Sequence, residues 1–350
     1  MSIQKIGILT GGGDCPGLNA VIRAVVTQAE RSDIEVIGVR GGWRGFLEND
    51  TIDLTRNVTR GILHVGGTIL GTTRVNPFQV KGGPERVDAA FKAWGLDGLI
   101  AVGGEGTLSL ANEMYKRGNP VVGVPKTIDN DLDGTDVTFG FDTAVGIATD
   151  AIDRLRTTAE AHERVMVVEV MGRHAGWIAM HAGLAGGADV IVIPEHPTSI
   201  HEICEVIHMR RAEGKVFSLV VVAEGAMLKP DKDSEAQLVL ANDAPDAFGR
   251  PRLGGVGPYI ARAIEDETGI ESRFTVLGHV QRGGSPSARD RVLALRFGVR
   301  AMQLAQEGKF GRMVSLRGDA IVDLPLSEAT AQRKVVDQSW LDLAEVFTGV

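Results

Sequence analysis

Val121-Val122-Gly123-Val124-Pro125-Lys126-Thr127-Ile128-Asp129-Asn130-Asp131 decides how this chain is read. The first four residues form an unbroken apolar run, the pattern of a strand buried on both faces of a parallel sheet. Lysine, threonine and two carboxylates two residues apart follow at once. In open α/β sheets ligands bind beyond the C-terminal ends of the strands. This stretch therefore delivers cation, hydroxyl and acid to that edge, a set suited to phosphate, magnesium and a proton. It points to phosphoryl transfer, although a solvated acidic turn would use the same residue types.

Working outward, apolar runs alternate with helical patterns over most of the length. Strands are expected at 6–10, 35–39, 99–102, 121–124, 165–170, 190–193, 217–223 and 274–277. Helices are expected at 18–29, near 108–116, from 144 to about 161 with Ile147, Ile152 and Leu155 on one face, near 256–267 and at about 288–304. Such alternation predicts an α/β fold with parallel sheets and helices on both faces. The polar stretch 229–255, with Pro230, Pro245 and Pro251, has the character of an inserted surface loop.

Composition narrows the function. The 350 residues, 43% of them hydrophobic, suffice for two domains. A formal net charge of -8 argues against a dedicated nucleic-acid binder but leaves room for a local basic pocket. Cys15 and Cys204 are too far apart in sequence to suggest a disulfide framework, which suits a reducing cytoplasm. The chain enters Lys5-Ile6-Gly7-Ile8-Leu9 without a signal-peptide pattern. Its most apolar region, 182–194, is interrupted by Asp189 and too short to span a bilayer. A cytoplasmic location is expected.

Several loops carry chemistry. Thr10-Gly11-Gly12-Gly13-Asp14-Cys15-Pro16-Gly17 lies between the first strand and the first helix, where backbone amides and a helix N-terminus favour an anion. A tight structural turn would look the same, and Asp14 and Pro16 spoil the dinucleotide fingerprint G-x-G-x-x-G. Gly103-Gly104-Glu105-Gly106-Thr107 repeats the arrangement with an acid inside it. That acid makes sense with magnesium between it and a phosphate, or as an exposed residue of a glycine turn. Gly66-Gly67-Thr68-Ile69-Leu70-Gly71-Thr72-Thr73-Arg74 places an arginine after another Gly/Thr loop. Arg164, Met171-Gly172-Arg173, Arg273 and Gly278-His279-Val280-Gln281-Arg282-Gly283-Gly284 set charge beside strand ends.

In this order the segments GGGDCPGLNA, GGTILGTTR, GGEGT, PKTIDND, EVMGRHAGW, AEG and VLGHVQRGG resemble the 6-phosphofructokinase family from residue 4 to about 317. The resemblance implies two similar Rossmann-like three-layer α/β/α domains with the active site in the cleft between them. The nucleotide-binding domain would comprise 1–140 plus about 281–333, and the sugar-phosphate-binding domain 141–280 plus about 334–350. It implies ATP-dependent phosphorylation of fructose 6-phosphate at its 1-hydroxyl, in glycolysis. Gly13, Arg74, Val75, Gly104, Glu105, Gly106 and Thr107 would hold the nucleotide, with Glu105 on Mg2+. Thr127 and Asp129 would face the 1-hydroxyl, Asp129 as general base, and Arg173 would stabilise the migrating phosphoryl group. Met171, Gly172, Glu224, His279 and Arg282 would hold the sugar phosphate. Arg164 and Arg273 match residues that reach the 6-phosphate from a neighbouring subunit, so a homodimer or homotetramer is implied.

The chain departs from the family pattern in three places. Pyrophosphate-using relatives share its Lys126 but carry Asp at the position of Gly106, so Gly106 favours ATP while Lys126 suits a small polyanion. Glu105 stands where most bacterial relatives have Asp, moving the carboxylate by roughly 1.5 Å, one C–C bond. Arg23, Arg56, Arg156 and Lys215 match part of an effector site, whereas Thr27 and Glu213 replace basic residues there. The alternatives to an ATP-dependent kinase are the same transfer from pyrophosphate, a dinucleotide-dependent oxidoreductase and a catalytically silent sugar-phosphate sensor.

Overall fold

The apolar runs become strands buried on both faces, and the glycine-rich segments after them become the loops at their C-terminal ends. The computed structural model describes residues 3–229, 234–242 and 252–348. Contacts divide the chain into two units, Met1–Thr143 with Arg282–Arg333, and Ala144–Gln281 with Lys334–Val350.

The first unit is built on a seven-stranded sheet. Its order is Ala320–Pro325, Arg312–Arg317, Val121–Pro125, Gly98–Gly103, Lys5–Thr10, Glu35–Val39 and Thr51–Asp53. The five inner strands are parallel, and the two outer ones pair antiparallel to their neighbours. Lys5–Thr10 has Glu35–Val39 on one side and Gly98–Gly103 on the other, so the strand order reverses there. A crevice at such a reversal is the usual ligand position of a doubly wound sheet. One face is packed by Trp43, Phe46, Phe91, Leu108, Met114 and Leu132, all buried. Each such side chain contributes about 1.5–3 kcal/mol on leaving water. On the other face helix Ala288–Gln306 lies against helix Leu18–Glu30, which brings the late segment 282–333 into the unit.

The second unit has four parallel strands in the order Ser272–Val276, Val165–Val170, Ser218–Ala223 and Val190–Val192. Val165, Val167, Val190, Val192, Val220 and Val222 meet Ile203, Ile260 and Ile264 in its core. Glu169 is buried in the middle of this apolar sheet, where its carboxylate accepts a 2.8 Å bond from the Gly257 amide. Gly257 lies in the first turn of helix Val256–Thr268, so the acid caps that helix and complements its dipole. Burial nevertheless pushes its carboxyl above the usual range.

The structure adds elements that the sequence pattern does not predict, among them helices Trp43–Glu48, Gly83–Ala93, Trp177–Ala185, Ile200–Ala212 and Gln338–Phe347 and the edge strand Thr51–Asp53. Helix Glu105–Lys116 begins three residues earlier than the apolar periodicity suggests. Strands Arg312–Arg317 and Ala320–Pro325 form a hairpin on the edge of the first sheet. Of the 229–255 stretch, residues 230–233 and 243–251 lie outside the described residues; before and between them run the short strands Met227–Lys229, Gln237–Leu238 and Leu240–Asn242. No helix among the described residues is long and apolar enough to cross a membrane.

Candidate active site

Residues 127–132 alternate in burial after their strand. Ile128, Asn130 and Leu132 are buried, while Thr127, Asp129 and Asp131 are half-buried on the opposite side. The Asp129 amide donates to the Thr127 hydroxyl at 3.1 Å, and the Asp129 charge reaches Asp131, so the three polar groups lie close together. The inward residues fix the loop. Asn130 adopts a left-handed conformation at φ 52°, and its side chain accepts the Thr138 amide at 3.1 Å. The Thr138 hydroxyl in turn donates to the Thr127 carbonyl at 2.7 Å. Burial, and then the charge of Asp129, push the Asp131 carboxyl up to about 6.

The early start of helix Glu105–Lys116 changes the chemistry of GGEGT. Gly104 caps the helix, and Glu105, Gly106 and Thr107 form its first turn, so amides that lack helical partners point out at the sheet edge. Thr107 is buried between two glycine loops: a β-carbon on Gly11 would stand 2.6 Å from its hydroxyl oxygen. Thr107 thus holds the loops at 11 and 103 together. Gly106 differs. Its φ is not in the left-handed region, and among the described residues no protein atom lies within 4 Å of where its β-carbon would be. Nothing within the fold demands glycine there. The space it leaves open is available to a ligand.

Lys126 is 3% exposed, and its ammonium donates to the Gly13 carbonyl. Burial, with the Arg282 charge adding to it against the opposing pull of Asp129 and Asp14, holds this amine below the usual lysine range. The Arg282 guanidinium lies over Gly13, where a β-carbon would come within 2.9 Å of Nη1. The structure therefore brings Gly13, Lys126 and Arg282 into one cluster, with Asp14 and Asp129 close enough to act on the Lys126 charge. Cys15 beside them is buried, and burial raises its thiol well above the ordinary range, so it stays protonated. Arg74 is exposed and Val75 half-buried after a loop stitched to this cluster by Gly12 N to Thr73 O at 3.0 Å and the Thr72 hydroxyl to Gly12 O at 2.7 Å.

Glu105 is not bare. Its Oε2 accepts from Arg333 Nε at 3.1 Å and Nη2 at 2.9 Å. Sequence reading had no means of finding Arg333, which stands 228 positions away. No three His, Cys, Asp or Glu side chains form a metal cage among the described residues. Magnesium needs no such cage, because it is typically held by one or two carboxylates with phosphates and water. Glu105 on the helix turn and the Asp129/Asp131 pair, close enough for Asp129 and Glu105 both to raise Asp131, fit that requirement.

In the second unit Met171–Arg173, Glu224 and His279 follow three neighbouring strands and cluster at their C-terminal edge. The loops are joined through the backbone: Glu224 N to Val170 O at 2.8 Å, Gly225 N to Gly172 O at 3.1 Å and Leu277 N to Glu169 O at 3.0 Å. The buried Gln281 carboxamide accepts from the Met171 amide at 3.4 Å. Arg164 and Arg273 lie elsewhere, at the N-terminal edge of the same sheet. Arg164 Nε is 2.7 Å from Glu271 Oε2, and Arg273 pairs with the other oxygen of that carboxylate. Within its own unit neither arginine joins the Met171–Arg173 cluster. Of the expected effector residues, Arg156 is engaged by the carbonyls of Gly186 and Gly187 at 2.6 and 2.8 Å, and Arg56 pairs with Glu30 at 3.4 Å.

Parallel sheets with phosphate-type loops at their C-terminal edges define a doubly wound α/β phosphotransferase-like architecture. A model of the family described as Phosphofructokinase matches residues 5–305, and the chain belongs to that family. It is 56% identical over 347 residues to a protein named pyrophosphate–fructose 6-phosphate 1-phosphotransferase from Amycolatopsis methanolica, covering 99% of this chain and 100% of that one. It is 52% identical over 339 residues to a protein named ATP-dependent 6-phosphofructokinase from Chloroflexus aggregans, covering 93% and 91%. Among solved structures, the phosphofructokinase of Pichia pastoris in its T-state superposes with a TM-score of 0.82 at 32% identity; the match covers 99% of this chain and 36% of that longer one.

Proposed function

We propose that this protein is a 6-phosphofructokinase that transfers the γ-phosphoryl group of ATP to the 1-hydroxyl of fructose 6-phosphate. Relatives named for either donor differ by only a few per cent in identity to this chain, so identity does not choose between ATP and pyrophosphate. The open space at Gly106 carries the choice. It lies on the first turn of a helix whose amides attract phosphate, and no described protein atom needs it to be empty. A carboxylate there would meet the α-phosphate of ATP, whereas glycine leaves room for it. Lys126, the feature that favours pyrophosphate, is already engaged by Gly13 and desolvated.

In this reading Asp129 accepts the proton of the 1-hydroxyl as that oxygen attacks the γ-phosphorus, and Thr127 orients the hydroxyl. The positive charges of Arg173 and Arg282 balance the phosphoryl oxygens, and the helix amides at 105–107 hold the departing diphosphate. Magnesium, held by Glu105 with the support of Asp131, would supply charge neutralisation on the phosphates. Met171, Gly172, Glu224, His279 and Arg282 bind the sugar phosphate. Arg164 and Arg273, remote from that cluster in their own unit, would serve a second copy of the chain. Exposed Phe274 and Val276 on the edge strand support such self-association.

The deciding experiment compares formation of fructose 1,6-bisphosphate from Mg-ATP and from Mg-pyrophosphate at matched fructose 6-phosphate. Turnover with ATP alone supports the reading; comparable turnover with pyrophosphate transfers the donor choice to Lys126 and overturns it.

A further inference from the structure

Arg333 is the last residue of the first unit and Lys334 the first of the returning segment of the second. The chain is fastened on both sides of this junction. On the first side the Arg333 guanidinium holds Glu105, and its backbone forms an isolated antiparallel bridge with Leu132, the residue after Asp131. The same positive charge acts to lower Asp131. One short segment thus touches both acidic loops of the donor half.

On the second side the contacts run to a different loop. The Trp177 indole donates to the Lys334 carbonyl at 3.1 Å, and the Lys334 ammonium stands 5.0 Å from the Trp177 ring centroid. The Val336 amide donates to Glu195 Oε1 at 2.9 Å. Glu195 also accepts the Gly176 amide at 3.1 Å. Gly176 and Trp177 directly continue the loop that carries Met171, Gly172 and Arg173.

We infer that residues 333–336 form a latch in which Arg333 is a positioning residue, tying the occupancy of Glu105 to the Gly176–Trp177 end of the 171–177 loop. The inference rests on the reading of Glu105 as a metal ligand. A divalent ion arriving with nucleotide competes with the guanidinium for one carboxylate. The Arg333 and Glu105 side chains are 39% and 42% exposed, and an ion pair that open to water is weak. It yields to the metal, the segment keeps only the backbone bridge to Leu132 on the first side, and the bonds at Lys334 and Val336 loosen. Arrival of donor is thereby felt at the loop that binds acceptor, through a covalently continuous strap.

The test is amide hydrogen exchange, read by mass spectrometry on peptides covering 174–178 and 334–338, with and without saturating Mg-ADP. In the unmodified protein Mg-ADP should speed exchange in both peptides by about fivefold, the mark of a locally destabilised segment. In Arg333→Gln both peptides should already exchange at the faster rate and stop responding, and Arg333→Lys should restore the response. Exchange that ignores Mg-ADP, or that still responds in Arg333→Gln, overturns the latch. Calorimetry on the same samples separates the failures. If Mg-ADP does not bind at all, the nucleotide reading is wrong; if it binds while exchange stays still, only the latch is.

Discussion

Gly106→Asp tests the donor assignment most directly, and the structure sets both halves of the expectation. With no described protein atom within 4 Å of the new β-carbon and an ordinary φ, the substitution has room. Aspartate is a better helix residue than glycine by about 0.3–0.5 kcal/mol. At the second position of helix Glu105–Lys116 its charge also gains about 0.3–1 kcal/mol from the dipole. Stability should therefore stay level or rise by up to about 1.5 kcal/mol. The effect on ATP is opposite. A unit negative charge about 4 Å from a phosphate oxygen costs about 1 kcal/mol in bulk water and about 4 kcal/mol at the effective dielectric of a protein surface. At 1.4 kcal/mol per decade, kcat/KM for Mg-ATP should fall by about 5-fold to 1,000-fold. The KM for fructose 6-phosphate should change by less than about twofold, since the residues proposed to hold it do not belong to helix Glu105–Lys116. Steady-state kinetics with a coupled aldolase assay and a urea melt measure both. Gly106→Ala separates volume from charge and should lose much less. A Gly106→Asp enzyme that keeps its ATP kinetics within twofold would refute the reasoning, as would one that unfolds several kcal/mol more easily.

Three other outcomes are expected. Asp129→Asn should lower turnover by about 100-fold or more, the usual contribution of a general base, while the dissociation constant for fructose 6-phosphate moves by less than threefold in calorimetry. Asp131→Asn should stabilise the protein at pH 7.5 at the expense of rate. Ionising a carboxyl whose folded pKa is raised from 3.8 to about 6 costs up to about 3 kcal/mol at 1.36 kcal/mol per pH unit. That cost is absent below pH 3.8, grows up to pH 6 and is constant above, so denaturant midpoints of the two proteins should converge only at low pH. Gly11→Ala should cost about 1–3 kcal/mol by overpacking against Thr107, and adding Thr107→Ala should return at least half of it in a double-mutant cycle, because the atoms in the way are that threonine's hydroxyl and methyl.

Much of this was legible in the sequence because apolar runs ending in glycine or acid are a strong local signal. Strands Glu35–Val39 and Val165–Val170 fall where the pattern puts them. The start of helix Glu105–Lys116 was not legible, since Gly104 and Gly106 lower helix propensity and the turn is held by backbone geometry. The hairpin Arg312–Arg317/Ala320–Pro325 carries a local signal, the Gly318-Asp319 pair between two short runs rich in apolar residues. Arg333 on Glu105 and Arg282 over Gly13 had none, because pairings between residues more than two hundred positions apart depend on the finished topology.

That topology has a consequence for synthesis. Strand Val121–Pro125 lies inside the finished sheet, yet one of its two neighbours is Arg312–Arg317. Val122 therefore waits for about 190 further residues before its partner Arg312 exists, roughly 10 to 40 s at 5–20 residues per second. Throughout that interval the nascent chain carries an unpaired apolar edge of the kind that recruits other strands, while residues 144–281 emerge. The edge that ends in Lys126, Thr127 and Asp129 is closed only once strand Arg312–Arg317 has been made.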